Sequence, residues 1–176
     1  MTTATNARLP GSVPPANNPR AGKYLTFRLG REEFGIQVRH VREIMGVQDI
    51  TPVPGTAPHL KGVINLRGKI VPVVDLRVRF SFSDTPFTHT TCIVVVQVEQ
   101  EGVPALIGLI VDIVCEVLNI AGHDIEDPPN FDTLYVLGIA KLKGAVKVLL
   151  KIEDVLTLKE LRGSICSRIA NADGNL

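Results

Sequence analysis

The sequence predicts an all-β protein, with one or two short helices, in which two similar small barrels pack into one body. Three observations predict it. The apolar runs are short and β-branched, or alternate with period two, which is the pattern of half-buried strands. The two halves of the 176-residue chain repeat each other in register. Helical periodicity is confined to the C-terminal end, apart from one weak turn.

Residues 1 to about 22 carry four prolines and almost no apolar periodicity, which predicts a disordered arm. Tyr24 to Leu29 alternates with period two, Gly30 to Glu33 supplies a turn, and Phe34 to Val38 returns as a second strand. A single helical turn fits between Arg39 and Ile44. Ile70 to Val74 and Cys92 to Val96 are β-branched runs too short for helices, and Pro72 inside the first points to an edge strand or a bulge. Ile152 to Leu156 suits a short helical turn, which Leu158 to Arg162 extends toward Ile165 or Ile169. From about Cys166 the chain reads as a fraying tail.

The repeat is the most informative feature. Phe34 to Met45 aligns with Ile107 to Leu118, placing Gly35 on Gly108 and Glu43 on Glu116. Lys61 to Gly68 aligns with Leu137 to Gly144, placing Gly62 on Gly138 and Gly68 on Gly144. The strands that follow, Ile70 to Val74 and Val146 to Leu150, also correspond. A proline-containing loop separates these blocks in each copy, Pro52 to Pro58 and Asp127 to Pro129. A unit of about 65 residues is small for a core of its own, so two units sharing apolar surface stabilise each other. The expected boundaries are an arm at 1–22, a first barrel at about 23–85 and a second at about 88–150. A C-terminal helix would fold back onto the first barrel, since so short a helix is marginal in water. Residues 161–176 would form its end and the tail.

Composition excludes several classes. Hydrophobic residues make up 45% of the chain, enough for a sizeable core, and the formal charge is only +1. A nearly neutral chain with 5% aromatics and no tryptophan lacks the basic groove and stacking faces of a nucleic-acid-binding barrel. No apolar run approaches the roughly 20 residues that span a bilayer, and the polar N-terminus lacks a signal peptide's apolar region. Three cysteines without a CxxC pair suit a reducing cytoplasm. The histidines His40, His59, His89 and His123 share no ligand spacing, and no nucleophile elbow, phosphate loop or zinc-protease motif occurs. The reading is a non-enzyme with no metal and no cofactor.

Val41 to Ile44 and Leu60 to Arg77, the latter holding Asn65-Leu66-Arg67-Gly68 and ending in Asp75-Leu76-Arg77, resemble the CheW family. Gly108 to Asp112 followed by Glu116-Val117-Leu118 resembles its second-half signature. The likeness runs from about Lys23 to Leu158. It implies two SH3-like five-stranded barrels with an apolar interface, and an adaptor that couples chemoreceptors to a histidine kinase in chemotaxis. It further implies that the groove between barrels takes the helical hairpin tip of a methyl-accepting receptor. The barrel ends would meet the regulatory domain of the kinase CheA. Val41, Glu43, Gly62, Leu66 and Arg67 match family positions associated with receptor or kinase contact. Lys151, where an acidic or amide residue is common, and the segment Phe131 to Leu137 depart from the family pattern.

Each of these residues also has a plainer reading. Arg67 is either a solvated turn residue or a guanidinium fork offered to a partner's carboxylate or carbonyls, a geometry that Lys143 in the second copy lacks. Gly62 serves the backbone, or clears space for a partner helix. Val41 and Ile44 are core or contact, and Val41, among Arg39, His40 and Arg42, is expected to be the partly exposed one. Glu43 balances Arg42 or Arg67, or is a device of the unit shared with Glu116. Gly35, Gly68, Gly108, Gly138 and Gly144, with Asp75 and Asp112, are expected to serve turns, Asp75 by accepting turn N–H groups or pairing with Arg77 or Arg79. With no receiver or kinase sequence attached, a free-standing adaptor is expected. The alternatives are a CheW-like regulatory module of a chemosensory pathway controlling pili or a second messenger and, more remotely, a nucleic-acid-binding small barrel.

Overall fold

The computed structural model describes residues 18–129 and 134–155. In chain order these hold β1 (Gly22–Leu29), β2 (Glu32–Gln37), β3 (Val41–Gly46), β4 (Leu60–Leu66), β5 (Lys69–Asp75), α1 (Leu76–Arg79), β6 (Cys92–Gln100), β7 (Val103–Val111), β8 (Ile113–Ile120), β9 (Ile125–Glu126), β10 (Val136–Leu142), β11 (Ala145–Leu150) and α2 (Ile152–Val155). Three hairpins carry two consecutive left-handed residues: Arg67-Gly68, Glu101-Gly102 and Lys143-Gly144. That is the type I′ geometry, whose twist matches the flanking strands.

The strands form two sheets. One has the order β3-β6-β7-β5-β4 and is called the first lobe here; the other, β8-β1-β2-β11-β10-β9, is the second. The division at about 23–85 and 88–150 is therefore corrected. β1 and β2 leave their own copy and join β8 to β11, while β6 and β7 join β3 to β5. Connector length explains the exchange. Within one lobe β7 and β3 flank β6 and both run antiparallel to it, so they are parallel to each other. A parallel connection inside one sheet needs a dozen or more residues. Only Val38–His40 separate β2 from β3, and only Asp112 separates β7 from β8. Each chain segment must therefore pass into the other lobe.

The repeat survives this exchange in detail. Glu43 pairs with Val95 and Ile44 with Val94, as Val117 pairs with Leu25 in the second lobe. Val73 lies beside Gly108 as Leu149 lies beside Gly35, both in parallel register. The two-residue β9, which makes six strands where five are expected, corresponds to a single Thr51–Val63 bridge in the first lobe.

Three cores result. Ile64, Val71, Val73, Ile93, Val95 and Ile110 fill the first lobe. Tyr24, Ile120, Ile125, Ala140 and Leu149 fill the second. The largest cluster draws on both lobes, including Leu25, Phe27, Phe34, Val94, Val96, Ile107 and Leu109, with Ile152 and Val155 of α2. Alternate residues of β6 thus face the lobe's interior and the interface, so Ile93 to Val96 is apolar throughout. Rings continue the interface: Phe34 stacks on Phe80 at 5.8 Å between centroids, and Phe80 on Tyr135 at 5.2 Å.

Several sequence expectations are corrected. The turn between Arg39 and Ile44 is a 3-10 turn at Val38–His40 followed at once by strand β3. α1 is a helix the sequence reading missed; Asp75 caps it by accepting the Arg77 N–H. Pro72 sits in the interior strand β5, not on an edge. The strand tolerates it because pairing with β7 begins only at Val73, while opposite Pro72 the N–H of Val63 turns away to Thr51. The end of the expected arm is docked: Asn18 donates to the Gly122 carbonyl and Arg20 meets Asp127 at 2.6 Å. The expected helix beyond Val155, the tail and Cys166 lie outside the described residues.

Candidate functional site

Of the residues singled out from the first copy, Glu43 and Arg67 meet at one end of the first lobe, where Leu66 precedes Arg67. β3 and β4 are opposite edges of its sheet, so an interaction between them closes the sheet on itself. That interaction is an ion pair, Arg67 Nη2 to Glu43 Oε1 at 3.0 Å. The hairpin presenting Arg67 is set locally: Asn65 Oδ1 accepts the Gly68 N–H at 2.9 Å. Arg67 takes φ of 50° and Gly68 84°. Glu43 is largely covered, whereas the Arg67 side chain is 77% exposed and keeps donors free to face solvent. Leu66 tucks half-buried against the first lobe's core.

The apolar exposure differs from expectation. Val41 is half-buried and packs on the interface core, while Ile44 is 44% exposed. A β-bulge between Val41 and Glu43 shifts the alternation, turning Ile44 outward. Ile70, paired opposite Asn65, is 53% exposed. Arg67 is thus flanked on β3 and β5 by exposed aliphatic side chains, of which sequence reading missed Ile70. The sequence reads it only as part of a β-branched strand run; the clue lay in its position one residue beyond the hairpin.

Gly62 is buried within β4 at φ 144°, and a Cβ there would stand 2.1 Å from the Thr51 carbonyl oxygen. It lets the Thr51 bridge close onto β4, so the structure assigns it to the backbone; it does not leave room for a partner. Gly35, Gly108 and Gly138 lie inside strands β2, β7 and β10 rather than in turns, whereas Gly68 and Gly144 do sit in hairpin turns. Asp112 joins β7 to β8, accepting the Gly30 N–H and meeting Arg77 at 3.3 Å. Asp75 and Arg77 are buried against each other at 2.8 Å. Hydrogen bonding to Asp75 holds the guanidinium above its ordinary range, against the opposing effect of burial.

A polar groove lined by Arg39, His40, Arg42, Gln97 and Glu153 adjoins Val41. Among the described residues no three His, Cys, Asp or Glu side chains gather to hold a metal ion. No helix among them is long and apolar enough to cross a membrane.

A family model described as the CheW-like domain matches residues 23–160, both lobes together. The chain belongs to the CheW-like domain family. It is 35% identical over 143 residues to chemotaxis protein CheW of Klebsiella aerogenes, covering 79% of this chain and 84% of that one. It is 31% identical over 140 residues to CheW of Rhizobium meliloti, covering 77% and 88%. The crystal structure of the scaffolding protein TtCheW from Thermoanaerobacter tengcongensis superposes with a TM-score of 0.71 at 36% identity, covering 80% of this chain and 95% of that one. The role that goes with CheW-like membership is a non-enzymatic chemotaxis adaptor. The two-lobed β fold agrees with it.

Proposed function

We propose that this CheW-like chain couples the cytoplasmic tip of a methyl-accepting chemoreceptor to the regulatory domain of the kinase CheA, working in the cytoplasm beneath the membrane. Val41, Glu43, Leu66 and Arg67 serve contact, and Gly62 shapes the strand that carries them. The observation that supports this most is the exposed Arg67 guanidinium, anchored by Glu43 and bordered by Ile44 and Ile70. Such a surface suits an amphipathic helix: aliphatic side chains bury its apolar stripe, and the guanidinium binds a carboxylate or terminal carbonyls. Individual contacts of about micromolar affinity, near −8 kcal/mol, suffice where several sites act together.

Titration calorimetry with a receptor signalling fragment, and separately with the kinase regulatory domain, tests the proposal. Binding to both is expected. Arg67→Ala should weaken one of them by at least about tenfold, equal to 1.4 kcal/mol, while costing at most about 1 kcal/mol of stability, so the chain stays folded. A folded chain that binds neither partner overturns the proposal. Gly62→Lys is unsuited to this test, because its side chain collides with Thr51 before any partner arrives.

A further inference from the structure

The short connectors force β1 and β2 out of their own copy, but they leave open which β3-to-β5 set these strands enter. Two kinds of acceptor exist, an opposite copy and a like copy. One is the other copy within the chain, as seen. The other is the same copy of a neighbouring chain, since the copies share one backbone pattern. We infer that the polarity pattern across the two parallel junctions, β2 with β11 and β5 with β7, selects the first acceptor and excludes the second.

At the first junction, register continues from Val148–Phe34 back to Lys147 beside Glu33. These side chains are bonded, and Lys147 is 9% exposed. The matching positions at the second junction, one place back from Pro72 and two back from Gly108, are Val71 and Leu106. They pack together in the first lobe's core. Pairing like copy with like would set buried Lys147 against Leu106, and Glu33 against Val71. Lys147 would lose Glu33 and stay buried among apolar side chains, a state that is strongly disfavoured, while Glu33 would keep only Arg28, at 3.6 Å within its own hairpin.

The strand ends repeat the logic with a second, independent pair. Arg77 after β5 meets Asp112 after β7 at 3.3 Å. At the matching places, Glu153 after β11 lines one groove with Arg39, the counterpart of Asp112, and touches the next residue, His40, at 3.1 Å. The signs are reversed between the junctions. Pairing like with like would bring Arg77 to Arg39, and Glu153 to Asp112. Both contacts would be repulsive. Wrong partners are thus opposed by unpaired or like charges, in the way paired helices and strands avoid unwanted partners. A chain whose halves accept the opposite half can satisfy itself, whereas like-with-like exchange always requires a second chain.

Refolding from urea at rising protein concentration, read by size-exclusion chromatography with light scattering, tests this on the full chain. The unmodified protein should refold as a monomer. E33L/K147V removes the distinction at one junction, and its oligomeric fraction should rise severalfold, more so at higher concentration. E33K/K147E keeps opposite charges across the junction and keeps the mismatch with Val71 and Leu106, so it should stay monomeric. If E33L/K147V does not fold, the milder E33Q/K147M carries the same expectation. An oligomeric fraction equal to that of the unmodified chain overturns the inference, as does equal oligomerisation of the charge-reversed variant.

Discussion

The two lobes share a backbone and differ in how polar side chains complete it. At the lobe end Arg67 reaches Glu43, while Lys143 and Glu116 at the matching positions form no ion pair among the described residues. Yet Arg67 and Lys143 share φ of 50°, and the glycines that follow share the left-handed region. At the strand end, Asp75 and Arg77 of the first copy are buried and doubly bonded. Lys151 of the second copy is half-exposed and bonds Asp154 one helical turn on. Duplicated backbone geometry therefore constrains turns and close approaches, and leaves the charges free to diverge. Divergence is seen where the halves of the chain meet and at the lobe end proposed for partner contact.

The largest test of this contrast is Arg77→Met. It leaves the buried Asp75 carboxylate unpaired and should cost about 3–5 kcal/mol in urea unfolding. Lys151→Met, at the exposed counterpart, should change stability by no more than about 0.5 kcal/mol. Equal effects would mean that the two strand ends are energetically alike after all. Next comes Gly62→Ala, where both the positive φ and the Thr51 carbonyl oppose a side chain. A loss of about 3 kcal/mol is expected, against about 1 kcal/mol for Gly144→Ala, where φ is 77° and no atom stands within 4 Å.

A smaller effect is expected at the lobe ends. Arg67→Ala breaks an exposed pair and should cost at most about 1 kcal/mol of stability while weakening partner binding. Lys143→Ala should leave that binding alone. Should both substitutions weaken the same partner equally, the lobes would not divide the partners between them.

The smallest effect concerns pH. Tyr24 lies in the second lobe's core, and Ile93 holds the matching place in the first. Burial pushes the phenol above 10.0. The folded state thus holds the proton more tightly than the unfolded chain. The stability this supplies is fully present below pH 10 and is lost as pH rises through the folded value. Urea midpoints between pH 9 and pH 11, roughly spanning the tyrosine range, should fall less steeply in Tyr24→Phe.

Much of this was legible beforehand because backbone requirements are local. The turn at Asn65 to Gly68, the strands from Tyr24 to Val38, the repeat and the family resemblance all follow from residue order. The pairing of Arg67 with Glu43 stood among the readings of Glu43, because few opposite charges lay near. Ile70 and the outward turn of Ile44 were not legible, since a bulge resets strand alternation without a residue type that announces it. The burial of Arg77 was hidden as well, because an arginine after a strand reads as surface until the other half supplies Asp112 and the loop after α1 folds Thr85 back to receive it.

By itself the sequence determined the β class, the duplication, the hairpin turns and the family, since each depends on neighbours along the chain or on a pattern preserved within it. It also held the clue to the exchange, in connectors of three residues and one, though not the reading of it. Only the tertiary structure decided which copy's strands share a sheet, which faces of β6 serve the lobe and which the interface, and which charges meet. Those outcomes depend on residues as far apart as Glu33 and Lys147 or Arg77 and Asp112. Their proximity is set by packing two similar halves through each other, which no local pattern records.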